Sequence, residues 1–247
     1  MTDSSDIAGR VAIVTGGSRG LGRAIALRLA GAGAAVAVNY RSQGGAAEDV
    51  VAQIRSGGGK AVAIGADVSE GDQVRGLVDR VRAELGPIGV LINNAGIGPV
   101  VDLDELTEEV FDETITVNLK SAFLVTQAVL ADMRAARWGR IVNMSSAAAR
   151  GPGLVGPHYN ASKAGLEGLT RGYASRLASE GITVNAVAPG PIDTDMAEPL
   201  KRGGIADRIP MGRMGSADEV AEAVLAMAGN AFITGQCLAI NGGTIYT

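Results

Sequence analysis

The stretch "VAIVTGGSRGLGRAIALRLAGAG", residues 11–33, decides the fold. It opens with a short β-branched apolar run, Val11 to Thr15, of the kind that forms a strand buried on both faces. The run meets Gly16, Gly20 and Gly22, spaced G-x-x-x-G-x-G, and then Leu21, Ile25 and Leu29 at the spacing of an amphipathic helix that ends near glycine. Glycines between a first strand and a helix let the backbone turn tightly and approach a pyrophosphate, which the helix N-terminus receives with free N–H groups and a positive dipole end. In a chain with 36 glycines the bare pattern is cheap; its place at the strand–helix turn gives it meaning.

Outward from this unit the alternation continues. "AVAVN" (35–39), "AVAIG" (61–65) and "VLINN" (90–94) read as buried strands, separated by the helical patterns "GAAEDVVAQIRSGG" and "EGDQVRGLVDRVRAEL". A long helix follows over 107–134, then strand "RIVNMSS", a helix over 159–179, strand "ITVNAVA" (182–188), a helix over 216–227 and a last strand "QCLAI". Seven strands interleaved with helices predict an α/β, doubly wound Rossmann fold: a seven-stranded parallel sheet with helices on both faces. Residues 1–247 read as one domain, because no linker or low-complexity segment divides them. Ligands of such a fold sit at the carboxyl ends of the strands.

Composition narrows the function. A formal charge of −4 gives no general attraction to nucleic acid or acidic lipid. A polar start without an apolar leader, and no run approaching bilayer length, predict a cytoplasmic protein without a membrane partner. One cysteine and one histidine offer no metal cluster and no internal disulfide. Chemistry must come from hydroxyls, amines, carboxylates or an organic cofactor.

The end of the second strand selects between dinucleotides. An acid there would bond the ribose of NAD(H) and repel the extra phosphate of NADP(H), but the chain reads Asn39-Tyr40-Arg41, with no acid before Glu48. Arg41, with Arg19 of the glycine turn, can grip a 2′-phosphate, which favours NADP(H) over NAD(H).

The chain resembles the short-chain dehydrogenase/reductases over nearly its whole length. The resemblance rests on "TGGSRGLG", Asp67-Val68, "NNAG" (93–96), Asn118, "NMSS" ending at Ser146, "YNASK" from Tyr159 to Lys163, and "APGPIDTDM", in that order. It implies that Gly16, Ser18, Arg19, Gly20, Leu21 and Gly22 cradle the cofactor with Asn39, Tyr40 and Arg41. Asp67 and Val68 would contact the adenine, and Asn94, Ala95 and Gly96 the ribose. Pro189, Gly190, Ile192 and Thr194 would border the nicotinamide and diphosphate. Family spacing puts the active serine thirteen positions before the tyrosine, at Ser146; alternation along the strand turns Ser145 to the other face.

Reducing a ketone needs a proton on oxygen, and a free tyrosine, with a pKa of about 10, gives one up poorly. Tyr159 and Lys163 stand four apart and share a helix face. A lysine cation about 4 Å away, at an effective dielectric near 20, favours phenolate by about 4 kcal/mol, or about 3 pKa units. That brings the phenol to roughly 7 before any opposing desolvation. The resemblance implies that Ser146 bonds the substrate oxygen, Tyr159 donates the proton, Lys163 tunes Tyr159 and holds the nicotinamide ribose, and Asn118 anchors a water leading from Lys163 to solvent.

Among the family the chain is most similar to bacterial 3-oxoacyl-(acyl carrier protein) reductases, through "GRIVNMSS", "GITVNAVAPGPIDTDM" and "ITGQCLAINGG". That implies a 3-oxoacyl thioester substrate; a ketone or secondary alcohol outside lipid synthesis is the alternative, and a noncatalytic dinucleotide sensor a more distant one. Of the basic pair that would receive an acidic carrier, Arg137 is present but the other position is Glu180, whose charge would repel such a partner. Residues 194–214 are expected to form a substrate lid, with Met196, Met211 and Met214 suited to an adaptable apolar pocket. His158 reads either as a pocket residue or as a locally bonded one, and Trp138 and Cys237 as packing residues. The resemblance also implies a homotetramer, joined through the long helices and the last strand.

Overall fold

A strand apolar at every position must be covered on both sides, and the strands of this chain meet that demand. The computed structural model describes residues 6–194, 197 and 204–246. The strands are β1 Val11–Val14, β2 Ala35–Tyr40, β3 Ala61–Gly65, β4 Ile88–Asn93, β5 Gly139–Met144, β6 Ile182–Pro189 and β7 Cys237–Ile240. They pair in parallel as one sheet in the order β3-β2-β1-β4-β5-β6-β7. The helices are α1 Gly20–Gly31, α2 Gly44–Ser56, α3 Gly71–Glu84, α4 Glu108–Ile115, α5 Ser121–Ala136, α6 Pro157–Leu177 and α7 Ala217–Gly229. Chain order reverses direction between β1 and β4, which makes the carboxyl ends of that pair the switch point where a crevice opens.

Period-two alternation divides the core between the two faces. Ala12 and Val14, with Val90 and Ile92, join Ile25, Leu29, Val50, Val224 and Met227 from α1, α2 and α7. Val11 and Ile13, with Leu91 and Ile141, join Leu77, Val81, Val125, Val129 and Met133 from α3 and α5. The sheet and its helices thus follow the expectation from sequence, with ends displaced by a few residues. β5 stops at Met144 rather than running through Ser146, because Ala147–Ala149 turn into a short 3-10 helix.

The long helix carries an unforeseen irregularity. α4 and α5 are joined by one π-helical turn, Thr116–Lys120, which contains Asn118. π turns inside α-helices concentrate at functional sites. The continuous run Glu108–Ala136 is also long and apolar enough to cross a bilayer by length and composition, which corrects the expectation that no run approaches this. Here its Val125, Val129 and Met133 pack on the sheet.

Leu91, wholly buried in the central strand, has no room to be replaced by solvent. Leu91→Ala is expected to cost about 2–5 kcal/mol in chemical denaturation, whereas truncating the exposed Phe232 should stay within about 0.5 kcal/mol.

Candidate active site

The glycine turn is held by polar side chains at the ends of three strands. Thr15 Oγ1 accepts the amides of Asn94 (2.9 Å) and Ala95 (3.0 Å), and Asn94 Nδ2 donates to the carbonyls of Thr15 (2.9 Å) and Gly16 (3.1 Å). Gly16 and Gly20 have φ of 62° and 54°, the left-handed region that side chains rarely adopt. A Cβ on Gly22 would lie 2.2 Å from the Gly16 carbonyl oxygen, so only glycine lets α1 come this close to the turn. Arg19, just before α1, provides no side-chain cap, and the first turn of α1 holds no acid. Its N–H groups therefore face the crevice ready for an anion, as a pyrophosphate requires.

Asn39 borders the cavity and also braces the turn from below. It is buried, its Oδ1 accepts the Gly16 amide (3.3 Å), and its Nδ2 donates to the carbonyls of Ile64 (3.2 Å) and Ala66 (3.0 Å). It is a strut under the turn, while Tyr40 and Arg41 form the rim. Arg41 is largely exposed and stands 3.9 Å from Asp67, a loose pair. Burial works to raise the Asp67 carboxyl, but hydrogen bonds from the Ser69 hydroxyl and amide, with Arg41, hold it below the usual range. Arg19 and Arg41 both line the crevice, where their guanidinium groups can meet an incoming phosphate.

At the other end, Tyr159 and Lys163 project from one face of α6 toward the end of β5. Lys163 is buried, donates to the Met144 carbonyl (2.8 Å) and places its ammonium 5.5 Å from the centre of the Tyr159 ring. Burial pushes Lys163 down from 10.5 to about 8. Burial also raises Tyr159, and the Ser146 hydroxyl facing it offsets that only in part. Burial by the protein thus raises this phenol above its ordinary value, the desolvation that the sequence-based value near 7 left out. Burial opposes the attraction of the Lys163 ammonium, which also donates a hydrogen bond to the Met144 carbonyl.

Both serines border this cavity, and the Ser146 hydroxyl, which faces Tyr159, accepts the Ala148 amide (3.2 Å). Ser145 turns inward and donates to the Lys163 carbonyl and to Glu167 Oε1, both at 3.2 Å. Asn118 is fully occupied by protein: Oδ1 accepts the Ile97 amide (2.8 Å), and Nδ2 donates to the Ile97 carbonyl (2.9 Å) and Ser162 Oγ (3.0 Å). Its side chain fastens the loop after β4 to α6.

One cavity of about 770 Å³ is lined by every cofactor-binding and catalytic residue expected from sequence except Asn118. Gly190 approaches Asn241 so closely that a Cβ would lie 2.8 Å from its Cα, and Thr194 stands across from Gly20. The glycines, the uncapped helix and the cations at one end fit a dinucleotide.

Several residues escaped the sequence reading. Glu167, four positions beyond Lys163 on α6, accepts from Ser145 and Cys237 and pairs with Arg150 at 2.9 Å. Its clue was the continued i, i+4 spacing after Tyr159 and Lys163. Asn93, Asn143 and Thr170 link β4, β5 and α6 in a buried hydrogen-bonded row. Thr244 and Ile245 at the end of the chain line the cavity, and no local signal announced them. His158 is buried and bonded to the Pro99 carbonyl (3.1 Å), the local alternative. Trp138 packs between Arg10 and Arg140, 4.1 and 4.4 Å from its ring centre. Of the expected lid, Ala197 and Ile205 reach the cavity; Met211 is exposed, Met214 does not line the cavity, and Met196 lies outside the described residues.

Comparison with known proteins gives a consistent picture. Residues 10–203 match the short chain dehydrogenase family. The chain is 42% identical over 243 residues to a 3-oxoacyl-(acyl-carrier-protein) reductase of Synechocystis sp., covering 96% of this chain and 97% of that protein. It is 40% identical over 240 residues to the enzyme of that name from Pseudomonas aeruginosa, covering 95% and 97%. Among solved structures, a blue fluorescent protein from a metagenomic library, in complex with NADPH, is 40% identical with a TM-score of 0.91, covering 98% of this chain and 100% of that one.

The lowered Lys163 has a measurable consequence. Below about pH 8 its ammonium is charged in both states and the folded chain bears the full cost of burial. Between about 8 and 10.5 the unfolded chain keeps a proton that the folded chain has released, so stability rises with pH. Lys163→Met should lack this rise, and wild type should gain about 2 kcal/mol relative to the variant between about pH 7 and pH 9.5 in urea denaturation.

Proposed function

Because the chain belongs to the short-chain dehydrogenase family, we propose that it is a cytoplasmic NADP(H)-dependent reductase of 3-oxoacyl thioesters. One observation carries the reading: Ser146, Tyr159 and Lys163 converge at one end of a cavity whose other end holds Arg19 and Arg41. A bound nicotinamide supplies the hydride for the carbonyl carbon. The protein's own groups supply position, charge and a proton.

Arg19 and Arg41 hold the 2′-phosphate, and the uncapped end of α1 holds the pyrophosphate. The relative solved with NADPH supports this choice of dinucleotide. Ser146 donates to the substrate carbonyl oxygen and fixes it beside Tyr159, whose phenol gives that oxygen its proton. Lys163 remains charged at neutral pH, binds the ribose and favours the phenolate that forms. Because Asn118 spends its side chain on Ile97 and Ser162, a water leading from Lys163 to solvent would be held by the backbone of the π turn.

Arg134 bridges both Glu180 oxygens, at 2.7 and 3.2 Å, so the carboxylate meets a partner already neutralised. The exposed Arg137 beside it leaves the patch with a net positive charge, which suits an acidic carrier. Phe123 on α5 and Leu238 on β7 are exposed apolar side chains, which supports assembly of copies into a tetramer through those elements.

The competing readings separate in one assay, an acetoacetyl thioester against a panel of free ketones, with NADPH and with NADH. Thioester reduction with NADPH is expected to dominate; preferred turnover of free ketones would overturn the substrate assignment. Tyr159→Phe should lower kcat by about 10²- to 10⁴-fold and leave NADPH binding nearly unchanged; a variant keeping half of wild-type turnover would end the mechanism. Arg41→Glu should weaken NADPH binding by about tenfold or more, with little effect on NADH, read by fluorescence titration.

A further inference from the structure

The charges in the cavity are unevenly placed. Among the described residues its charged lining side chains are Arg19, Arg41 and Asp67 at the dinucleotide end and Lys163 beneath Tyr159. Beyond Tyr159 the wall is apolar, formed by Val100, Ala148, Leu154, Val155, Ile205 and Ile245. Val100 and Leu154 are well exposed, so this side opens toward solvent. Ile245 differs from the others in coming from the end of the chain.

Its position is held from two directions. Asn241 folds the tail back on itself: its Nδ2 donates to the Ile245 carbonyl (2.8 Å), while its Oδ1 accepts the Gly243 amide (2.9 Å). The Ile245 side chain then presses on the loop after the Ser146 turn, so closely that a Cβ on Gly151 would lie 2.5 Å from Ile245 Cδ1. The same loop is fastened to the catalytic helix, because Asn160 Nδ2 donates to the carbonyls of Gly151 (3.1 Å) and Pro152 (2.9 Å). Ile245 is therefore a wall at a defined place relative to Tyr159.

We propose that Ile245 is a specificity-determining residue, forming the fixed wall on the apolar side of the cavity and setting the length of substrate chain that packs beyond the carbonyl. This rests on the reductase reading above. It concerns the group attached to the carbonyl carbon, and no step of the chemistry passes through Ile245. Deleting the side chain opens space for further methylenes, each of which changes discrimination through its burial. Enlarging it removes that space.

The test measures kcat/KM with NADPH for Ile245→Ala and Ile245→Trp on 3-oxoacyl thioesters of four, eight and twelve carbons, and on methyl ketones of the same lengths. Ile245→Ala should raise the long-to-short ratio by about tenfold, and Ile245→Trp should lower it by a similar factor. NADPH affinity and thermal midpoint are followed in parallel, and Ile245→Val and Ile245→Met provide graded changes if a larger one disturbs folding. Ratios that stay within twofold of wild type in all folded variants would overturn the proposal. If wild type reduces ketones but no thioester, the thioester reading fails while the ketone ratios still judge Ile245.

Discussion

A parallel sheet covered on both faces leaves its polar backbone open only at the strand ends, and that constraint organises the molecule. Wherever a polar side chain enters the interior near those ends, it must find a partner or lose its hydration at a cost. Thr15, Asn39, Asn94, Asn143 and Thr170 all do so, and their bonds tie the ends of β1 to β5 to one another and to α6. The crevice at the β1–β4 switch point is thus a gap with a stiff polar frame. Catalytic groups placed on that frame inherit its rigidity.

The electrostatics follow from the same frame. Lys163 and Tyr159 both lie in the interior on α6, and burial lowers the proton affinity of the lysine and raises that of the phenol. Coulomb attraction at a chosen dielectric gives only one side of this balance. Ser146 stays where it faces Tyr159 because its neighbour Ser145 is bound to Glu167 and to the Lys163 carbonyl, and Arg150, just past the turn, is bound to the same carboxylate. A single acidic side chain on α6 thereby pins both ends of the turn.

How far the sequence could be read depends on whether a feature is local. Strand runs such as Val11–Val14, and helices with three- and four-residue spacing, carry their signal in a few adjacent residues, so the whole sheet was legible. So were Tyr159 with Lys163, and the glycine turn, because helical period and chain reversal are local geometry. Asn39 borders the cavity, but the bonds by which it also braces the turn run to β3 and just beyond it, 25 and 27 residues away, and no local pattern shows them. The π turn at Asn118 has no periodicity of its own. Ile245 meets Gly151 only because β7 returns the chain to the active-site end of the sheet, a contact that no window along the sequence spans.

Cys237 brings a last consequence. Burial, reinforced by a hydrogen bond to Glu167 and the charge of that carboxylate, pushes its thiol up to about 12. Thiolate is the form that attacks electrophiles and peroxides, and at neutral pH almost none is present. The chain's single sulfhydryl therefore stays a protonated thiol at neutral pH, and the groups proposed to do the chemistry are a phenol, an amine and a hydroxyl. The reaction proposed for this site therefore draws on no sulfhydryl.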